Sequence, residues 1–451
     1  MKRPILNRVL PLLLANLAAP ALAQTVTVSV GGVIEREGVV RGQLCGDAQR
    51  FPNGGCTFTV AAPASGETVE LKFENVPPGR YAFQAFHDVN NDMRLGIPQE
   101  GYAFGNNQQY PPTFQAASFD VAGADTRHAV RLIHMAAPAA AGPERGAPAL
   151  PGVVKTDLRA NGLYGALYAP EGGSRLPTII AIGGSEGGLD IISGVAQSFA
   201  RHGYAVLALA YWRAPGLPQS LENVRLEYFD EAIAWLKTRP EVDGARIGMM
   251  GWSRGGEGAL LIASRTPDIR AVMGLAAGSH VVVGISQTNF AASKPAWTLG
   301  GQPVPYFMPD MTVPMGAGPG GFRRMMDQSH RDVANHPEAE IPVERINGPI
   351  LLFSGADDGV WNSNAQSERV MARLRAHDFR PSAQHIDYPN AGHLVFAGDP
   401  ALPNPPSPAV TMRGVMGGTE EGNRAAIADS WTRALAFFDG ALKAPQRGAR
   451  P

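Results

Sequence analysis

The segment RIGMMGWSRGGEGALLIAS, residues 246–264, restricts the possible folds of this chain more than any other stretch. Residues 247–250 read as a short buried strand, and residues 255–263 as a helix of small and apolar residues. Between them Gly251, Trp252, Ser253, Arg254 and Gly255 spell G-x-S-x-G. At such a strand–turn–helix junction the serine sits on a sharp, strained turn, and the flanking glycines remove the Cβ atoms that would clash. The hydroxyl then projects above the sheet. The amides that open the helix point towards the oxygen that becomes charged in acyl transfer.

The spelling alone is weak, because glycine makes up 53 of 451 residues and the pattern recurs as Gly183, Gly184, Ser185, Glu186, Gly187. Either copy reads equally well as a plain glycine turn. Context separates them. From residue 153 to 445, strand-like runs (163–168, 178–182, 204–210, 247–250, 271–275, 350–354, 384–388) alternate with helix-like ones (191–201, 221–237, 255–263, 365–377, 425–442). The run YAVLALA at 204–210 is almost wholly apolar, as in a parallel strand buried on both faces. An α/β domain with a mainly parallel sheet follows, of the α/β-hydrolase kind.

In that scheme the turn after 178–182 contributes an oxyanion-hole amide, from Gly184 or Ser185. The turn after 247–250 carries the nucleophile, Ser253, and the Arg254 amide is the second donor. An acid and then a histidine should follow. Residues 350–354 run into Gly355-Ala356-Asp357-Asp358, where Asp358 occupies the usual place of the acid and Asp357 is the fallback. Past the strand 384–388, PNAGH puts His393 in a loop, whereas His377 falls on a helix and His385 within a strand. Ser253, Asp358 and His393 therefore form the expected triad, which needs neither cofactor nor metal. Glu257, in the first helical turn, reads as a complement to the helix dipole.

The N-terminal end bears on compartment. Residues 1–23 combine Lys2, Arg3 and Arg8 with an apolar run at 9–17 and Ala21-Leu22-Ala23, the pattern of a secretory signal peptide. The apolar run is too short to cross about 30 Å of hydrocarbon. The expectation is an exported protein, periplasmic or secreted, with no stable membrane anchoring. Without the leader's cations the net charge is about −4, which offers no basic stripe for nucleic acid. The only cysteines, Cys45 and Cys56, are expected to form a disulfide in an oxidising compartment.

Residues 25–136 carry short alternating runs (25–30, 39–44, 57–61, 69–73, 81–86, 117–121, 129–133) separated by Gly, Pro and Asn turns, which predicts an antiparallel β-sandwich domain. Asp88, Asn90 and Asp92 stand at D-x-N-x-D spacing, but no acid closes the loop as in an EF-hand, so a polar turn competes with a calcium site. Residues 137–152 are rich in Ala, Pro and Gly and read as a linker.

Two resemblances accompany these readings. FHDVNNDMRLGIPQEGYAFGNN, PPGRYAFQAF and PPTFQAASFDV resemble an uncharacterised family of secreted bacterial β-sandwich domains. That family brings no activity, and the partner of this domain is unknown. GLPQSLENVRLEYFDEAIAWLKTRPEV, IGMMGWSRGGEGALLIAS, IPVERINGPILLFSGADDGVWNS and YPNAGH resemble the catalytic domain shared by acyl-CoA thioesterases and bile acid-CoA:amino acid N-acyltransferases, over residues 155–443. By position the resemblance implies Ser253 as nucleophile, Asp358 as acid and His393 as base. The acyltransferase branch uses cysteine, so serine implies hydrolysis. The family's own N-terminal sandwich is replaced here by a different domain, and export places the chain where acyl-CoA is scarce. The resemblance therefore carries over fold and chemistry, towards a small-molecule ester or thioester. The rival readings are an exported serine peptidase or amidase, which would use the same triad, and a binding protein with a relict hydrolase domain. The segment 279–340, long and rich in Pro, Gly and Met, is expected to form a substrate-selecting cap.

Overall fold

The computed structural model describes residues 24–52, 56–89, 91, 93, 95, 100–108, 112–122, 125–134, 149–286, 293–313, 321–402 and 416–443. The leader, Asn90, Asp92 and linker residues 137–148 lie outside the described residues. The described residues fall into two compact units, one carrying the strands of residues 24–131 and the other the elements of residues 153–443.

The first unit contains β1 (Gln24–Gly31), β2 (Val39–Cys45), β3 (Phe58–Pro63), β4 (Thr68–Val76), β5 (Gly79–Asp88), β6 (Tyr102–Phe104), β7 (Ser118–Val121) and β8 (Thr126–Arg131). One sheet has the order β4-β1-β8; the other has the order β3-β2-β5-β6, with β7 also paired to β5. Alternation along the strands turns Val26, Val28, Val30 and Leu71 of one sheet towards Val40, Leu44 and Phe83 of the other. Gly42 lies where the sheets touch: a Cβ there would stand 2.4 Å from a Leu71 methyl. Cys45 and Cys56 form the expected disulfide across the β2–β3 connection.

One pairing departs from the antiparallel expectation. β1 and β8 run parallel, register Val26 to Thr126 through Gly31 to Arg131. Parallel neighbours need a long connection, and the whole second sheet supplies it. Asp88 is buried and ion-paired to Arg41 at 2.5 Å, and also accepts the Met93 amide. Among the described residues no three His, Cys, Asp or Glu side chains gather as metal ligands, and no helix is long and apolar enough to cross a membrane.

The second unit contains β9 (Val153–Leu158), β10 (Tyr164–Pro170), β11 (Leu176–Ile182), α1 (Asp190–Arg201), β12 (Ala205–Ala210), β13 (Val224–Arg225), α2 (Glu227–Lys237), β14 (Val242–Trp252) and α3 (Arg254–Arg265). There follow β15 (Ile269–Leu275), β16 (Trp297–Leu299), β17 (Gln302–Pro303), α4 (Gly321–Ser329), β18 (Ile350–Gly355), α5 (Ser363–Ala376), β19 (Ala383–Tyr388) and α6 (Glu420–Phe438). Eight strands make one sheet in the order β9-β10-β12-β11-β14-β15-β18-β19. Only β10 runs antiparallel to its neighbours; the others are parallel. This is the α/β-hydrolase arrangement.

Alternate residues of the central strands feed two separate cores. Ile180, Leu207 and Met249 face α2, α3 and α5, while Ile179, Val206 and Met250 face α1 and α6. The inner parallel strands β12 and β18 are buried along their whole length on both faces, so their sequences are almost continuously apolar and carry no alternation.

The helix expected from residue 221 starts only at Glu227. Asn223 adopts a left-handed backbone (φ 54°), and the amides of Asn223, Val224 and Leu226 donate to the carbonyls of Pro295, Ala296 and Thr298. Pairing with a distant segment outweighs the apolar periodicity. Five of the described strands, β6, β9, β13, β16 and β17, were not legible as strands in the sequence.

Candidate active site

Ser253 stands between β14 and α3 with φ 58° and ψ −121°, a backbone conformation that L-residues avoid and that costs about 1–3 kcal/mol. The flanking glycines make it attainable. A Cβ on Gly251 would stand 2.0 Å from the Gly255 carbonyl oxygen, and a Cβ on Gly255 would stand 2.0 Å from that of Gly183. The Ser253 amide is anchored to the Leu275 carbonyl on β15 at 2.7 Å, and its own carbonyl accepts from Gly256 at 2.9 Å. The Arg254 amide lies at the first position of the helix, ahead of the first intrahelical bonds.

The second G-x-S-x-G behaves differently. Ser185 is exposed, and α1 begins only at Asp190, so no elbow forms there. The loop is instead pinned from β12's end: Tyr211 donates to the Gly183 carbonyl (2.9 Å) and the Trp212 indole donates to that of Gly184 (3.2 Å). It lies against the elbow, since a Cβ on Gly184 would come within 3.0 Å of the Ser253 Cβ. The Gly184 amide donates to the Glu186 carboxylate at 2.8 Å.

Asp358 and His393 meet. Their loops follow β18 and β19, whose parallel register brings the two strand ends side by side. The His393 Nδ1 lies 2.8 Å from Asp358 Oδ2, with both side chains buried. The other carboxylate oxygen accepts the amides of Val360 (2.8 Å) and Trp361 (3.2 Å), which locks the acidic turn. Asp357, the fallback acid, is exposed and makes no such pair. His393 is also tied to the elbow, because the Trp252 indole donates to the His393 carbonyl at 3.2 Å.

Three features of this site were not legible in the sequence. The segment before α6 clamps both loops: the Met416 carbonyl accepts the amides of His393 (2.7 Å) and Gly359 (3.0 Å). Glu257 stands in the first turn of α3, where a dipole complement is expected, and it has partners besides. It is fully buried, paired to the Arg254 guanidinium at 2.7 Å, and accepts the Trp297 indole at 2.9 Å. Burial pushes its carboxyl above the usual range, and Arg254 partly offsets this. Arg254 also donates to the carbonyls of Val282 and Val283 (2.8 and 3.0 Å). The network therefore binds the 279–340 segment to the elbow helix. Within that segment, β16 and β17 form a small sheet with β13, and Arg323 of α4 donates to the Asp358 carbonyl at 2.5 Å.

The fold and these strand-end loops define an α/β-hydrolase, an enzyme of the hydrolase type. Residues 224–444 match the profile described as BAAT / acyl-CoA thioester hydrolase C terminal, and residues 153–288 match one described as PET hydrolase-like. Residues 28–129 match an uncharacterised protein conserved in bacteria. Acyl-coenzyme A thioesterase 6 of Mus musculus is 34% identical over 302 residues, covering 64% of this chain and 65% of its own. Acyl-coenzyme A thioesterase 1 of Rattus norvegicus is 31% identical over 304 residues, covering 67% of this chain and 68% of its own. Peroxisomal succinyl-coenzyme A thioesterase of Mus musculus is 29% identical over 295 residues, covering 64% and 65% respectively. The chain belongs, through its C-terminal unit, to the acyl-CoA thioesterase / bile acid-CoA:amino acid N-acyltransferase family. It spans about 65% of the length of the mouse thioesterase 6.

Proposed function

We propose that this chain is an exported serine hydrolase that cleaves an ester or thioester of a small or acyl-chain substrate through an acyl-enzyme on Ser253. The observation that carries the reading is the buried His393–Asp358 bond of 2.8 Å, held one indole hydrogen bond away from an elbow serine. Asp358 keeps the His393 proton on Nδ1, which leaves Nε2 free to take the Ser253 proton. Ser253 Oγ then attacks the acyl carbonyl, and the oxyanion is met by the Arg254 amide and by one from the Gly184–Ser185 loop. The intermediate collapses as His393 returns the proton to the departing alcohol or thiol. Water, deprotonated by His393, releases the acid.

Ester and thioester stay together in this reading because one matching profile is described by thioester hydrolysis and the other as PET hydrolase-like. The test is turnover of the mature protein on p-nitrophenyl esters of graded length, an acyl-CoA and a peptide anilide, beside Ser253→Ala and Ser185→Ala. Cleavage lost only in Ser253→Ala supports the assignment. Anilide cleavage without ester cleavage would replace it with a peptidase.

A further inference from the structure

Glu186 is a carboxylate at the site for which the mechanism above has no use. It lies two residues past Gly184 on the loop between β11 and α1. Its Oε1 accepts the Gly184 amide at 2.8 Å, and a Cβ on Gly183 would meet that same oxygen at 2.4 Å. Its Oε2 and the Ser253 Cβ both come within 3.0 Å of the point where a Gly184 Cβ would stand. The carboxylate and the serine side chain therefore flank one glycine. Burial pushes the Glu186 carboxyl up to about 7, with hydrogen bonds from its own and the Gly184 amide and the charge of His393 acting the other way. Tyr211 and Arg213 are the other titratable groups beside it: Tyr211 bonds the Gly183 carbonyl, and Arg213 donates to the Glu186 carbonyl at 3.5 Å.

Two consecutive amides of this loop are available as oxyanion donors, and they are not equivalent. Gly184's is taken by a carboxylate, whose negative charge would compete with a developing oxyanion. Ser185's donates to no group among the described residues. Its direction is also set. A trans peptide sends its N–H opposite to its C=O, and the Gly184 carbonyl is held by the Trp212 indole at 3.2 Å. The Ser185 N–H therefore points away from Trp212. We propose that Glu186 is a positioning residue of the oxyanion hole: its carboxylate holds the Gly184 amide, so that the Ser185 amide is the donor that joins that of Arg254. The proposal rests on the reading of Ser253 as nucleophile.

The experiment measures the second-order rate of covalent labelling by a fluorophosphonate, whose phosphoryl oxygen uses the same hole and which requires no knowledge of the natural substrate. Glu186→Ala frees the Gly184 peptide and is expected to slow labelling about 10- to 100-fold. Glu186→Gln keeps an oxygen that accepts from Gly184 and is expected to label within a few-fold of the parent rate. Trp212→Phe keeps the ring but removes the bond to the Gly184 carbonyl, and is expected to slow labelling as Glu186→Ala does. Labelling of Glu186→Ala at the parent rate, or of Glu186→Gln as slowly as the alanine variant, overturns the proposal. If circular dichroism shows Glu186→Ala unfolded, Trp212→Phe decides, and its labelling at the parent rate overturns the proposal. Ser253→Ala separates the two levels. If it is still labelled, the nucleophile assignment fails whatever Glu186 does.

Discussion

Asp358→Asn removes one charge and almost no volume, and the hydrogen bonds around the carboxylate determine its effect. One oxygen accepts the Val360 and Trp361 amides at 2.8 and 3.2 Å, and only an oxygen can stay there. The new –NH2 group must then face His393 Nδ1, which today lies 2.8 Å from the other carboxylate oxygen. A donor in that place makes Nδ1 the acceptor and moves the imidazole proton to Nε2, the nitrogen that should take the serine proton. The acidic turn survives and the base is in the wrong tautomer. A swap of this kind costs about 10⁴-fold in turnover, or about 5 kcal/mol of transition-state stabilisation. The assay is kcat on the best p-nitrophenyl ester, with circular dichroism confirming an unchanged fold. Asp357→Asn is the control; that carboxylate is exposed, and its loss should leave kcat within about twofold. More than a tenth of the parent kcat in Asp358→Asn would refute the tautomer argument, and the same loss in Asp357→Asn would move the acid by one residue.

Further outcomes follow from the same packing. Gly255→Ala places a methyl 2.0 Å from the Gly183 carbonyl oxygen, where neither backbone has room to move, so thermal unfolding should show more than about 3 kcal/mol of destabilisation. Glu257→Gln leaves the Arg254 guanidinium buried without its counter-charge and should cost about 3–5 kcal/mol, read from denaturant midpoints; an unchanged midpoint would mean that Arg254 finds other partners. Glu186, with its carboxyl raised to about 7 by burial, binds more protons folded than unfolded between pH 4.5 and 7. Its contribution to stability therefore falls as pH rises through that window, and Glu186→Gln should flatten this part of the stability–pH curve.

The hydrolase scaffold was legible because its signals are local. A parallel strand buried on both faces must be continuously apolar, and a sharp strand-to-helix turn must carry glycines on either side of its serine. Both conditions are written within a few adjacent residues. The order serine, acid, histidine then follows from where the strands end, which is why Asp358 and His393 could be singled out before their contact was known. The choice between Asp358 and Asp357 stayed open in the sequence, since adjacent carboxylates differ only in which one the turn buries. Helix α2 was overextended for the opposite reason: the periodicity of residues 221–226 is real, but their amides are claimed by residues 295–298.

By itself, then, the sequence determined the α/β-hydrolase scaffold and the disulfide partners, and it offered residues with suitable chemistry at suitable strand ends. Tertiary structure alone decided that β1 pairs parallel with β8, that the Met416 carbonyl clamps the acid and histidine loops together, and that Glu257 is half of a buried ion pair. It alone brought the Glu186 carboxylate onto the Gly184 amide beside Ser253. The physical reason is common to all of these. Each depends on a partner, a direction or a degree of burial that only the folded chain supplies, and an identical residue in an open turn would carry none of it.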